Sequence, residues 1–326
     1  MKLRSICISL MIVLCFSACS FNDVVCEIGQ VKLRRSEYME LFNLYYAQYG
    51  TVYDLNNEEN LHALQDIVLN TLIRAEVVSQ QATLLGMELT KEEEKLIEQS
   101  PLKTQMKKSF LIQKLRSYLT ADITITEAEA SEQFEKDSKL DFAKYKENIE
   151  LFVNMQEAYD EAGGIPPLYV PADFVRVKHI LVSDESQALS LIERINAGES
   201  FEILMAEYGE DPGMKREPTM LLGYLMYSGT TNFVPEFKQA GLALKDVGDI
   251  TDPIKSSHGY HIIKLVEKLP KGSRKYEDIK ETYMNGLLLR LKEQYYEEQV
   301  NTWMEETNIT SHIEKIRSIR KPDSAK

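Results

Sequence analysis

The sequence predicts an α+β protein in which a strand-bearing module interrupts a mainly helical chain. Three observations point there. The runs 175–182 and 258–266 are rich in apolar and β-branched residues and short enough to be strands. The segments before them carry apolar residues at helical spacing. A long helical run follows at 279–304, and its stripe of Leu287, Leu288, Leu291, Tyr295 and Val300 must pack on something.

At the N-terminus, Lys2 and Arg4 precede an apolar stretch, 6–18, that is too short to span a bilayer comfortably. Residues 1–18 therefore read as an export signal. Phe16-Ser17-Ala18-Cys19 resembles the bacterial lipobox, which implies cleavage before Cys19 and lipidation of that cysteine; the alternative is an ordinary signal cut near Ala18. Several acyl chains, at about 0.8 kcal/mol per buried methylene, anchor a protein stably. Cys7 and Cys15 fall in the removed segment, so Cys26 is left alone and no internal disulfide framework is available. Cleavage removes Lys2 and Arg4 but no acid, taking the net charge from −13 to −15. That charge argues against nucleic-acid partners and against a polybasic membrane patch.

The mature chain opens with a hairpin expected over 24–33 around Gly29. Ser36 starts a helix bearing Tyr38, Leu41, Phe42, Leu44 and Tyr45. A second amphipathic helix spans 61–85, with Leu64, Ile67, Val68 and Leu72 on one face. Thr90-x-x-Glu93 and Thr126-x-x-Glu129 are capping boxes that begin helices over 91–100 and 127–135, with another helix over 107–119 between them. Gly163-Gly164-Ile165-Pro166-Pro167 is a loop that closes this part.

In the first strand of the module, Val175, Val177, His179 and Leu181 share one face; in the last, His261, Ile263 and Leu265 do. If the strands are neighbours, both imidazoles point into one site. Each histidine alone is as readily a core residue satisfied by local hydrogen bonds. Asp211-Pro212-Gly213 is by itself an ordinary turn signal, and Phe233 with Phe237 an ordinary buried helix face. His258 and His261 would share a face on a helix and suit zinc, but on a strand they point apart; no metal site is expected.

The order VKHILV, a helix with Phe201, Leu204 and Ala206, Asp211-Pro212, Leu222-Gly223, FVPEF and HGYHIIKL resembles the parvulin family of peptidyl-prolyl isomerases over residues 175–269. The resemblance implies a small four-stranded antiparallel sheet wrapped by helices. It implies a site of paired histidines, His179 and His261, with Asp211 where members have Asp or Cys and Ser256 as a small hydroxyl residue. Leu222, Phe233 and Phe237 match the family's apolar proline pocket. Members often carry Gly-Gly-Asp-Leu-Gly before the second strand, whereas this chain has Pro218-Thr219-Met220-Leu221-Leu222-Gly223. The phosphate-directed branch places basic residues after the first strand; here stands Ser183-Asp184-Glu185-Ser186. Rotation about a peptide C–N bond requires no metal, cofactor or covalent intermediate.

The flanking helices, with the glycine turn near the mature N-terminus and the region 69–86, resemble chaperone domains of extracytoplasmic foldases. The expected organisation is a signal over 1–18, a helical chaperone domain over 19–172 completed by 270–326 with a frayed tail, and a parvulin-like isomerase inserted at 173–269. The expected function is a lipid-anchored extracytoplasmic isomerase and chaperone acting on unfolded exported proteins with X–Pro bonds. Two rivals stand beside it: a non-enzymatic holdase, motivated by the altered loop before Leu222, and an envelope-assembly adaptor lipoprotein.

Overall fold

The computed structural model describes residues 23–322; the export signal and Cys19 lie outside the described residues. Contacts divide the chain into two compact units, residues 23–123 with 291–322, and Thr124–Arg290.

The first unit begins with the hairpin β1 (Val24–Ile28) and β2 (Val31–Arg34). Gly29 turns it with φ +58°, a conformation glycine adopts without a Cβ penalty. Helices α1 (Arg35–Tyr49), α2 (Glu58–Leu84), α3 (Lys91–Gln99) and α4 (Lys103–Leu119) follow. Leu64, Val68 and Leu72 of α2 are buried with Tyr38 and Phe42 of α1, but Ile67 is 41% exposed: it lies off the face on which it was expected. Thr90 forms the expected capping box with Glu93.

The second unit opens with α5 (Glu127–Tyr145), capped by the Thr126–Glu129 box, and α6 (Ile149–Ala162). The first runs ten residues past its expected end and the second was not expected. Both lie before the short strand β3 (Tyr169–Val170). The module proper then runs β4 (Phe174–Val182), α7 (Glu185–Asn196), α8 (Phe201–Tyr208), α9 (Thr219–Leu222), β5 (Tyr224–Tyr227), α10 (Pro235–Ala243), β6 (Ile254–Ser256) and β7 (Gly259–Leu269). Its sheet is antiparallel in the order β5-β4-β7-β6. The central strand β4 is covered on both faces, which explains why apolar side chains stand on both of them. Ile180, Val182 and Ile262 meet Leu191, Phe201 and Leu204 on one side; Val175, Val177, Ile263 and Leu265 meet Phe237 on the other.

The two-residue strand β8 (Gly272–Ser273) pairs with β3, and α11 (Tyr276–Glu306) follows. Its first half packs within the second unit, where Tyr283 meets Phe134 and donates to Asp137. Its second half packs within the first, where Tyr296 and Val300 join Val78, Ala82, Leu111 and Leu115. The buried stripe holds Tyr296, while Tyr295, assigned to it from the sequence, is exposed.

In the first unit, β9 (Ile309–Ser311) adds to β1 as a third strand, and α12 (Ile313–Arg317) closes the chain. Of the tail expected to fray, residues 316–320 are docked instead. Ile316 and Ile319 are buried, and Arg317 grips both carboxylate oxygens of Asp66.

Candidate active site

The site is built on β4 and β7 and lies wholly in the second unit. In their antiparallel register His179 faces Ile263 and Leu181 faces His261. The two histidines are thus diagonal neighbours on one face, close enough for long side chains to meet. Their Nδ1 atoms lie 3.1 Å apart and their rings stack at 18° with centroids 5.3 Å apart. Each is 4% exposed.

Asp211 enters from the loop after α8. The Glu210 N–H donates to the Leu181 carbonyl at the end of β4, tying that loop to the sheet. The Asp211 carboxylate then lies 2.6 Å from His179 Nε2. On the other side β6 and β7 form a tight hairpin, with Ser256 paired to Gly259 and Ile254 to His261. Ser256 Oγ lies 2.7 Å from His261 Nε2 and accepts the His258 N–H. Gly259, at φ +128°, passes against the Val182 carbonyl where a Cβ would collide.

One set of tautomers satisfies every atom in this row. Ser256 O–H donates to His261 Nε2, His261 Nδ1–H to His179 Nδ1, and His179 Nε2–H to the Asp211 carboxylate. The electrostatics agree with a neutral His261. Burial, reinforced by His179 and His258 and opposed by Asp211 and Glu236, pushes its imidazole down to about 4. Burial alone would raise the Asp211 carboxyl, but bonds from His179, the Gly213 N–H and the Tyr224 hydroxyl outweigh it and hold Asp211 well below the usual carboxylate range. The Tyr224 phenol is pushed up by burial and by that bond to Asp211.

Beside this row opens a cavity of about 490 Å³. Pro235 starts α10 at a position where its missing N–H costs nothing, and Phe237, in the first turn of that helix, lines the cavity. The Phe237 ring meets His179 edge-on at 4.8 Å and His261 at 5.3 Å. Phe233, half-buried, stands 5.4 Å from Phe237 and 5.1 Å from Tyr224, so the three rings make an apolar wall.

The structure brings His179, Asp211, Ser256 and His261 into one hydrogen-bonded row, with Phe233 and Phe237 beside it. Leu222 does not line the cavity. It ends α9, and Gly223, at φ +86°, turns the chain so that Tyr224 enters in its place. His258 also lines the cavity, contrary to the opposite-face expectation. It sits in the turn before β7, where strand alternation does not apply. The signal for Tyr224 was available in principle: it follows Gly223 and is the first residue of β5.

The family model described as the PPIC-type PPIase domain, or rotamase, matches residues 181–267. These residues form a PPIC-type rotamase domain. Foldase protein PrsA 4 of Bacillus cereus is 36% identical to this chain over 170 residues, 52% of this chain and 55% of that protein. Foldase protein PrsA of Caldanaerobacter subterraneus is 25% identical over 312 residues, 91% of this chain and 89% of its own length. The chain thus matches about half the length of the first relative and most of the second. The crystal structure of PrsA from Bacillus subtilis is 19% identical, with a TM-score of 0.34, covering 84% of this chain and 91% of that one.

Proposed function

We propose that the protein is an extracytoplasmic peptidyl-prolyl isomerase and chaperone that assists the folding of exported proteins. The observation that carries this reading is the aromatic cavity of Phe233, Phe237 and Tyr224 set against the His179–His261 pair in a rotamase domain. Resonance opposes rotation about the peptide C–N bond with a barrier of about 18–20 kcal/mol. X–Pro bonds populate both isomers and exchange slowly enough to limit folding. The aromatic wall holds the proline ring and keeps water from the amide, and the mutually bonded imidazoles keep the polar side of the cavity fixed. Groups that fit the twisted amide better than the planar one lower the barrier. Nothing covalent happens: the histidines organise the site and take no proton from the substrate.

The substrate is an unphosphorylated X–Pro segment. Asp184 caps α7 through the Gln187 N–H, and Glu185 begins that helix, so two acids stand where a phosphate would need arginines. A Ser-Pro peptide should turn over at least as fast as its phosphoserine-Pro counterpart in one isomerisation assay at low and high salt. Faster turnover of the phosphorylated peptide would overturn this assignment.

The helical parts flanking the module serve as the chaperone domain, in which 173–269 is the isomerase insertion. The chain is held at the outer face of a membrane by lipid on Cys19. Among the described residues no helix is long and apolar enough to cross a membrane. Cys19→Ser should release the protein from the membrane fraction; a variant that stays bound through a carbonate wash contradicts the lipid anchor.

A further inference from the structure

The Asp211 carboxylate is held at both oxygens. The Gly213 N–H donates to Oδ1 at 2.9 Å. Oδ2 accepts from His179 Nε2–H at 2.6 Å and from the Tyr224 hydroxyl at 2.8 Å. Tyr224 reaches this oxygen from β5, a different strand from the one that bears His179. Its hydroxyl lies where a Cβ on residue 213 would be. Gly213 has an ordinary negative φ, so it is required there for space and not for backbone freedom. Its missing side chain makes room for the phenol, and its N–H holds the other carboxylate oxygen.

We propose that Tyr224 is a positioning residue for the isomerase site. With Gly213 as its socket, it fixes the Asp211 carboxylate and through it the orientation of His179. This rests on the isomerase reading above. The charged and titratable groups facing the row are Asp211, His179, His261, Tyr224, and His258 and Glu236 at its far end. Removing the phenolic donor leaves the carboxylate more basic. A more basic carboxylate favours a proton on the row it ends, so the row takes up its first proton at higher pH. The phenyl ring, which forms part of the cavity wall, is untouched by Tyr224→Phe, so peptide binding is preserved while the fixed orientation is lost.

The test compares the full chain with Tyr224→Phe, Gly213→Ala and the double variant. Two readouts are taken: kcat and KM on an X–Pro peptide, and the pH titration of the His179 and His261 imidazole resonances by NMR. For Tyr224→Phe the expected result is about a tenfold fall in kcat, the size of one lost charge-assisted hydrogen bond, with KM little changed. The imidazole titration moves to higher pH. Gly213→Ala, which evicts the phenol, should shift the titration in the same direction, and the double variant should fall no further than the worse single one. Wild-type kcat with an unmoved titration in folded Tyr224→Phe overturns the proposal, as do fully additive losses in the double variant. A wild-type chain without isomerase activity overturns the functional reading, and the imidazole titration still decides the role of Tyr224.

Discussion

His261 is the residue whose surroundings say most about the site. Its imidazole is pushed down to about 4 from 6.5, so folding holds it neutral where the unfolded chain would already be charged. The unfolded state therefore binds more protons below pH 6.5, and stability falls as pH drops from 6.5 toward 4. At ~1.4 kcal/mol per pH unit the loss reaches up to about 3 kcal/mol. Asp211 adds to it lower down. Its carboxyl is held below its ordinary 3.8, so the stability it contributes is present above that value and lost as pH falls through the folded value. Urea denaturation at a series of pH values checks this. His261→Gln should flatten the decline between pH 6.5 and 4; an unchanged slope in the variant contradicts the assignment. Strand alternation put each histidine on a face of its own strand, and the family order supplied their pairing together with Asp211 and Ser256. Alternation could not supply Tyr224 or His258, because each depends on a turn. Gly223 redirects the chain between Leu222 and Tyr224, and His258 sits in the β6–β7 hairpin. A leucine assigned by sequence order was displaced from the cavity by one glycine.

At the scale of elements, the capping boxes, the β1–β2 hairpin and the bounding strands of the module were all legible. Each carries a local chemical signature: Thr with Glu three residues on, a left-handed glycine, β-branched runs. The strand β9 was not, because three residues are too few to show a pattern. The end of α5 was obscured by its polar stretch after Phe134, where few apolar residues mark the period before Tyr145. That hidden stretch matters for the module. Tyr145 and Phe152 bury Phe174 and Leu269, the first and last residues of β4 and β7. Arg176, itself buried, donates to Asp160 of α6 at 2.5 Å and meets Glu267 at 2.9 Å. Removing one partner from a buried ion pair leaves the other uncompensated, at a cost of about 3–5 kcal/mol. The fragment 173–269 contains the whole four-stranded sheet and should fold alone, but with lower stability than Thr124–Arg290, which retains Asp160, Tyr145 and Phe152. Thermal denaturation of the two fragments measures the difference. Equal midpoints would show that α5 and α6 contribute nothing to the module.

For the whole molecule, the α+β class was legible because two periodicities coexist in one chain: a period of two in the strands and of 3.6 in the helices. The division into units was harder to read, because α11 is one helix whose apolar stripe is shared: Tyr283 and Leu287 are buried in its first half and Tyr296 and Val300 in its second. No period in the sequence marks the change at Arg290. The proposed site of X–Pro rotation is the aromatic cavity beside His179 and His261. The most direct measurement is the cis–trans exchange rate of an X–Pro tetrapeptide with the full chain and with Phe237→Ala. Phe237 also belongs to the packed face of the sheet, and loss of a buried phenylalanine costs about 3–5 kcal/mol, so the half-buried Phe233→Ala is measured beside it, and far-UV circular dichroism checks both. The wild-type chain should accelerate exchange clearly, and both variants should lose most of that acceleration while their helical signal persists. No acceleration by the wild-type chain, or undiminished turnover in both folded variants, would contradict it.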